Sequence, residues 1–148
     1  MTKRREFITL LGGAAVWPLA AHAQTGERMR RIGILMPHAP TEMELQARVR
    51  AFREELRKKG WAKGVNVQFD ERWTTDNMDL IRAAAANLAE LTPDAILAIG
   101  RVIPVLMQAT RTVPIVVPGG ADPVERGWIK SLAQPGGNVT GFAILAGC

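Results

Sequence analysis

The chain has 148 residues and a net charge of +5, from 19 lysines and arginines against 14 aspartates and glutamates. This length suits one ordinary domain with a single core. Charges of both signs are mixed along the chain without a run of five like charges, which argues against nucleic acid as a partner. The one cysteine, Cys148, excludes a disulfide within the chain and a cysteine-rich metal site.

The first 23 residues have the three parts of an export signal. Lys3-Arg4-Arg5 is a positive start, residues 9–21 are uncharged and mostly apolar, and Ala21-His22-Ala23 offers small residues to a signal peptidase. The adjacent arginines favour the twin-arginine route. An uncleaved membrane anchor is the alternative, but the apolar run is short and Pro18 interrupts it. We expect cleavage near Ala23 and a periplasmic protein of residues 24–148.

A strand, a helix and a second strand are predicted first after the leader. Residues 32–36 form a short apolar run that ends at Pro37, which predicts a buried strand. Between residues 42 and 59, apolar side chains recur at steps of four, three and four, as on one face of a helix, and Gly60 ends it. Residues 65–73 alternate between apolar and polar side chains, which predicts a strand with one exposed face.

The second half of the chain continues the alternation. Asp76 or Asn77 can cap a helix that runs to about residue 91. Asp122 before Pro123 has the pattern of another helix start, with aspartate as the cap and proline in the first turn. The remaining predicted elements are a strand at 95–99, a helix at 104–110, a strand at 114–118, a helix at 122–132 and a strand at 139–145.

This order of elements predicts an α/β fold. Strands that alternate with helices through short connections form a parallel sheet with helices on both faces, of the flavodoxin-like or Rossmann-like type. The predicted strand order is 2-1-3-4-5. Ligands of such sheets meet the carboxyl ends of the strands, so we assign function to the loops there. These loops are residues 37–41, 74–77, 100–102 and 119–122.

Two residues in these loops suit an anionic ligand. Gly100 lets a ligand approach the backbone N–H groups of a helix start, and Arg101 can pair with a carboxylate in bidentate fashion. Each also has a structural interpretation, in which Gly100 only makes a tight turn and Arg101 is an ordinary surface residue. Asp122 is explained more simply as a helix cap than as a catalyst.

The sequence does not match the common enzyme motifs. The first strand is followed by Met36-Pro37-His38-Ala39-Pro40 rather than by G-x-G-x-x-G, which leaves a dinucleotide site unsupported. A phosphate-binding G-x-x-x-x-G-K-[ST] loop and a G-x-S-x-G elbow are also missing from the sequence. His38 is the one histidine after the leader, so a zinc site of several histidines is excluded. We expect no cofactor, no metal and no catalytic residue.

Several segments of the chain share a recognisable pattern. They are Arg4–Ala15 in the leader, Arg31–Leu35, Phe52–Leu56 with Gly60-Trp61, Pro114–Val116, Asp122–Val124 and Ser131–Gly141. Together they resemble one bacterial family, the ABC-transporter substrate-binding proteins, some of which take up aromatic or other amino acids. The resemblance covers residues 1–142, and residues 131–141 are its most specific part.

The resemblance implies a two-lobed periplasmic receptor of the type I binding-protein fold. Such a receptor holds a small solute between its lobes, delivers it to a membrane permease and is not an enzyme. The family's contacts from the first lobe come from the loops after strands one, three and four. In this chain those contacts correspond to His38-Ala39, Gly100-Arg101-Val102 and Gly120-Ala121-Asp122.

Two departures from the family pattern affect these expectations. Relatives commonly have a small hydroxyl residue where this chain has Arg101. The arginine in this chain favours a ligand with a second anionic group. The family's chain is also longer by a second lobe, so we expect an isolated first lobe (residues 24–148) with impaired binding. Two alternatives stay open: an exported α/β enzyme whose catalytic half is missing, and a truncated product without function.

Overall fold

The computed structural model describes residues 28–119 and 122–142. The four strand pairings in this part of the chain are all parallel, and the strand order is β2-β1-β3-β4-β5. The predicted fold class and strand order are confirmed. The elements are β1 (Arg30–Met36), α1 (Met43–Lys58), β2 (Val67–Trp73), α2 (Met78–Glu90), β3 (Ala95–Ala98), α3 (Val102–Ala109), β4 (Ile115–Val117) and β5 (Val139–Gly141).

Local signals in the sequence set the ends of the helices. α1 ends where Gly60 adopts a φ of 93° and the N–H of Trp61 reaches back to the carbonyl of Leu56 at 2.9 Å, the pattern of a glycine-terminated helix. α2 begins at Asn77, whose side chain accepts hydrogen bonds from the N–H groups of Asp79 and Leu80 at 2.9 and 3.3 Å. Of the two predicted caps, Asn77 is therefore the one used.

The helices cover both faces of the sheet. α1 packs on one face through Val49 and Phe52. α2 and α3 pack together on the other face, where they form the larger core. Gly33 in β1 allows this close packing, because a Cβ there would lie 3.1 Å from Ile96 Cγ1 and 3.3 Å from Leu88 Cδ2. Fully buried members of the larger core include Leu35, Ile81, Ala85, Leu88, Ile96, Ile103, Leu106 and Ile115.

The face under α1 is less completely filled. A cleft of about 260 Å³ lies between α1 and the sheet and extends towards the carboxyl ends of β3 and β4. Its lining is mostly apolar and includes Leu45, Val49, Phe52, Leu97, Ile99 and Pro118. Within residues 28–119 and 122–142, no helix combines the length and the apolar character needed to cross a membrane.

The helix predicted at residues 122–132 is wrong. Residues 123–127 form a single turn instead. Gly127 ends it with a φ of 72°, while its N–H donates to the carbonyl of Val124 and the N–H of Trp128 donates to that of Pro123, both at 2.9 Å. The same glycine-terminated pattern that closes α1 here acts after one turn. The predicted leader and residues 143–145 of the predicted last strand lie outside the described residues.

Asp94 binds the start of β1 at the amino-terminal edge of the sheet, opposite the loops that we assigned to ligand binding. Its carboxylate accepts hydrogen bonds from the backbone N–H of Arg31 and from Nη1 of Arg30, both at 2.9 Å. The bond from the Arg31 N–H, and then the one from the Arg30 side chain, lower the pKa of Asp94. This edge therefore has its own structural charges, distinct from those at the carboxyl edge.

Candidate ligand-binding site

The strand order creates a crevice at the carboxyl edge of the sheet. The chain leaves β1 towards β2, while β3 lies on the other side of β1. Loops diverge at such a switch point, and open α/β sheets bind ligands there. Gly100 follows β3 with a φ of 63°, and a Cβ placed on it would lie 3.8 Å from Pro37 Cγ in the loop after β1. The two predicted loops therefore lie side by side.

The start of α3 faces this edge without a side-chain cap. The carbonyl of Gly100 accepts a hydrogen bond from the N–H of Ile103 at 3.2 Å, but Arg101 at the cap position contributes no capping hydrogen bond from its side chain. The first N–H groups of a helix lack partners inside the helix and carry partial positive charge. This edge therefore favours a negatively charged group of a ligand.

Val102 has a different place from the other predicted residues. Its side chain is fully buried in the larger core, packed with α2 and the sheet. A ligand can reach only its backbone. Val102 was assigned to the site because the family's contacts from the loop after strand three correspond to Gly100-Arg101-Val102, and its apolar character was the signal that its side chain belongs to the core.

Arg101 is exposed and forms an ion pair that the sequence did not predict. Its Nη1 lies 2.9 Å from Oδ1 of Asp76, and the two side chains are 51% and 77% exposed. Asp76 belongs to the loop after β2, and β1 separates β2 from β3, so the pair reaches across the end of β1. Because Asn77 caps α2, Asp76 is available for this contact. The signal in the sequence that points to this ion pair is the position of Asp76 in the loop directly after β2.

The loop after β1 presents polar side chains to solvent, among them His38. His38 is exposed, whereas Ala39 is partly buried and its carbonyl accepts a hydrogen bond from the N–H of Glu42 at 3.2 Å. Thr74, in the loop after β2, is buried and donates its hydroxyl hydrogen to the carbonyl of Met36 at 2.9 Å. The Thr74 hydroxyl therefore links the ends of β1 and β2, whereas the exposed side chain of His38 is open to a ligand.

The loop after β4 contributes structure where it is described. The carboxylate of Asp122 accepts hydrogen bonds from the N–H groups of Val124 at 2.8 Å and Glu125 at 3.4 Å. It therefore caps the single turn, as its simpler interpretation predicts. Gly120 and Ala121, which were also assigned to the site, lie outside the described residues. In the described ranges, no group of three or more His, Cys, Asp or Glu side chains could hold a metal ion.

Comparison with known proteins identifies the family. The family described as ABC transporter substrate binding protein matches residues 41–145. The chain belongs to this family. A curated substrate-binding relative, the tyrosine-binding protein of Clostridioides difficile strain R20291, is 31% identical over 118 residues. That alignment covers 78% of this chain and 33% of the relative, so the chain spans about a third of the relative's length.

Three solved structures have a similar fold. The ligand-free, open structure of a substrate binding protein with adhesive properties from Clostridium difficile matches with a TM-score of 0.69 and 30% identity, over 76% of this chain and 38% of that one. A conserved domain protein from Vibrio cholerae matches with a TM-score of 0.72 and 28% identity, over 80% and 40%. An ABC domain from Streptococcus pneumonia in complex with L-Trp matches with a TM-score of 0.70 and 22% identity, over 78% and 38%. The last supports the fold alone.

Proposed function

We propose that this chain is part of the solute receptor of an ABC importer. The receptor works outside the cytoplasm, binds a small molecule at the carboxyl edge of the sheet and delivers it to a membrane permease. Membership of the substrate-binding family supports this function. The observation that carries it is the carboxyl edge where the loops after β1 and β3 lie side by side, with exposed Arg101 at the start of α3, which has no side-chain cap.

The proposed solute is an amino acid. A relative that is 31% identical is named a tyrosine-binding protein. An amino acid presents a carboxylate, and both the α3 start and the guanidinium of Arg101 favour a carboxylate. His38 on the neighbouring loop adds a hydrogen-bonding side chain to the same edge.

A binding role is favoured over catalysis by how the polar groups near the edge are used. The hydroxyl of Thr74 is engaged with the carbonyl of Met36, and the carboxylate of Asp122 is engaged with backbone N–H groups of its own turn. Neither is left to act as an acid, a base or a nucleophile. The family relatives named above are substrate-binding proteins as well.

The affinity of this chain by itself should be low. In the proposed receptor a second lobe supplies further contacts, and this chain spans 33% to 40% of the relatives it matches. If an intact receptor binds with a Kd of about 1 μM, or about −8 kcal/mol, half of that free energy corresponds to a Kd of about 1 mM. Weak, saturable binding is therefore the expected behaviour.

Ligand-observed NMR tests this function. Each of the common amino acids is mixed with the purified protein, and saturation transferred from protein to ligand is measured at millimolar ligand. We expect transfer to one or a few amino acids that share a side-chain class, and competition between them. Transfer to none of them, or equal transfer to all, would contradict an amino-acid receptor. A thermally unfolded sample serves as the control for nonspecific contact.

A further inference from the structure

The Asp76–Arg101 ion pair differs from the ion pairs within the helices. Pairs such as Glu54 with Arg57 join neighbouring positions of one helix. Asp76 and Arg101 instead belong to two loops that follow different strands, and they meet over the end of β1. The pair therefore lies at the crevice that we propose as the solute site.

Stability does not explain this pair. Both side chains are more than half exposed. Ion pairs of this kind contribute little to folding, because water screens their attraction and both side chains lose freedom. The pair can therefore open or rotate at little cost when a ligand supplies equivalent partners.

From this placement, and on the basis of the proposed function, we infer that Asp76 and Arg101 together recognise the zwitterionic head of an α-amino acid. Arg101 binds the α-carboxylate, and Asp76 binds the α-ammonium group. The Arg101 guanidinium has five N–H donors in a fork that suits a carboxylate, and Asp76 contacts it through one Nη1–Oδ1 bond. The remaining donors, and the second oxygen of Asp76, can serve the ligand.

Charge balance makes this arrangement selective. The two side chains sum to zero charge, as does the head of an amino acid at neutral pH. A ligand that keeps only the carboxylate gains Arg101 but is repelled by Asp76, and a ligand that keeps only the ammonium group gains Asp76 but is repelled by Arg101. Such repulsion of the wrong ligand is a common source of specificity. The uncapped start of α3 favours the orientation with the carboxylate next to Arg101.

Blocked forms of one amino acid test the inference. The probes are L-tryptophan, N-acetyl-L-tryptophan, which lacks the ammonium group, and L-tryptophanamide, which lacks the carboxylate. Affinities are measured from amide shifts of the ¹⁵N-labelled protein. We expect L-tryptophan to bind at least about tenfold more tightly than either blocked form, since each loses a charge-assisted hydrogen bond.

Two substitutions then assign the contacts. Asp76→Asn should lower the affinity for L-tryptophan about tenfold and remove the repulsion of the N-acetyl form. Arg101→Gln should also lower the affinity for L-tryptophan about tenfold and remove the repulsion of the amide form. Glu54→Gln and Arg57→Gln are the matched controls, because they break an exposed ion pair within α1 that does not belong to the proposed site. The amide spectra show whether each variant is folded.

The outcomes separate this inference from the proposed function. Wild-type binding of L-tryptophan that neither Asp76→Asn nor Arg101→Gln weakens would overturn the inference alone. Tighter binding of L-glutamate than of L-tryptophan, strengthened by Asp76→Asn, would also overturn it and indicate recognition of an anion. Shifts with none of the tryptophan probes and none of the other amino acids would overturn both the inference and the receptor function.

Discussion

Substitution of Gly100 by alanine separates its contribution to folding from its contribution to binding. Gly100 has a φ of 63°, in the left-handed region that costs an L-residue about 1 to 2 kcal/mol. The new Cβ would lie 3.8 Å from Pro37 Cγ, an ordinary contact, so crowding adds nothing to that cost. We expect Gly100→Ala to lower the free energy of unfolding by about 1 kcal/mol. Urea unfolding followed by circular dichroism measures it.

Gly64 provides a matched control for the backbone. It has a φ of 78°, nothing lies within 4 Å of a Cβ placed on it, and it precedes β2 at the opposite edge of the sheet. Gly64→Ala should therefore cost about as much stability as Gly100→Ala. Only Gly100→Ala places a methyl group in the crevice beside Pro37, so only it should weaken L-tryptophan binding, by roughly tenfold.

Two results for Gly100→Ala would contradict these expectations. Equal affinities of Gly100→Ala and Gly64→Ala for L-tryptophan would refute a ligand position beside Gly100. A loss of more than about 3 kcal/mol in Gly100→Ala would show that crowding, rather than backbone conformation, dominates at this position. Gly100→Asn helps to distinguish these causes, because asparagine tolerates the left-handed region better than alanine.

Two further predictions concern the sheet itself. Gly33→Val should lower the free energy of unfolding by about 2 to 3 kcal/mol, because the new side chain meets Ile96 and Leu88. Urea unfolding of Gly33→Val, of Leu88→Ala and of the double variant measures the coupling, and the double variant should lose less stability than the two single losses added together. A double variant whose loss equals that sum would contradict the contact. Asp94→Asn should cost about 1 kcal/mol at neutral pH, since it weakens the bond with the Arg31 N–H. Because the pKa of Asp94 is lower in the folded protein than the value of about 4 in the unfolded chain, the ionised carboxylate stabilises the fold above that pH. This contribution is lost as the pH falls through the pKa of Asp94 in the folded protein. Thermal unfolding from pH 7 to pH 2 should show wild type and Asp94→Asn converging in acid, and a constant difference would contradict the assignment.

The fold was predictable because its signals are local and repeated. Apolar runs, helical spacing and the glycine after α1 place the elements, and the alternation of strands and helices leaves few possible sheet orders. The helix predicted after Asp122 failed where two local signals compete. The cap and Pro123 start a helical turn, but Gly127 closes it five residues later. Both signals are visible in the sequence, and the structure shows which one prevails.

The site was predictable in part, for a different reason. The strand order places the loops after β1 and β3 together, which is why Gly100 and Arg101 could be named from the sequence. The pairing of Arg101 with Asp76 was missed, because Asp76 follows a strand that is not adjacent to β3. Its local pattern equally suited a helix cap, and only the structure shows that Asn77 takes that role.

A map of where a solute binds tests the receptor site most directly. Amide shifts of the ¹⁵N-labelled protein are followed during titration with the amino acid that shows the strongest saturation transfer. We expect saturable shifts at His38 and Gly100 to Val102, at the carboxyl edge of the sheet, and none around Asp94 at the opposite edge. Shifts confined to the Asp94 edge, or spread over the surface without saturation, would contradict a receptor site at the switch point.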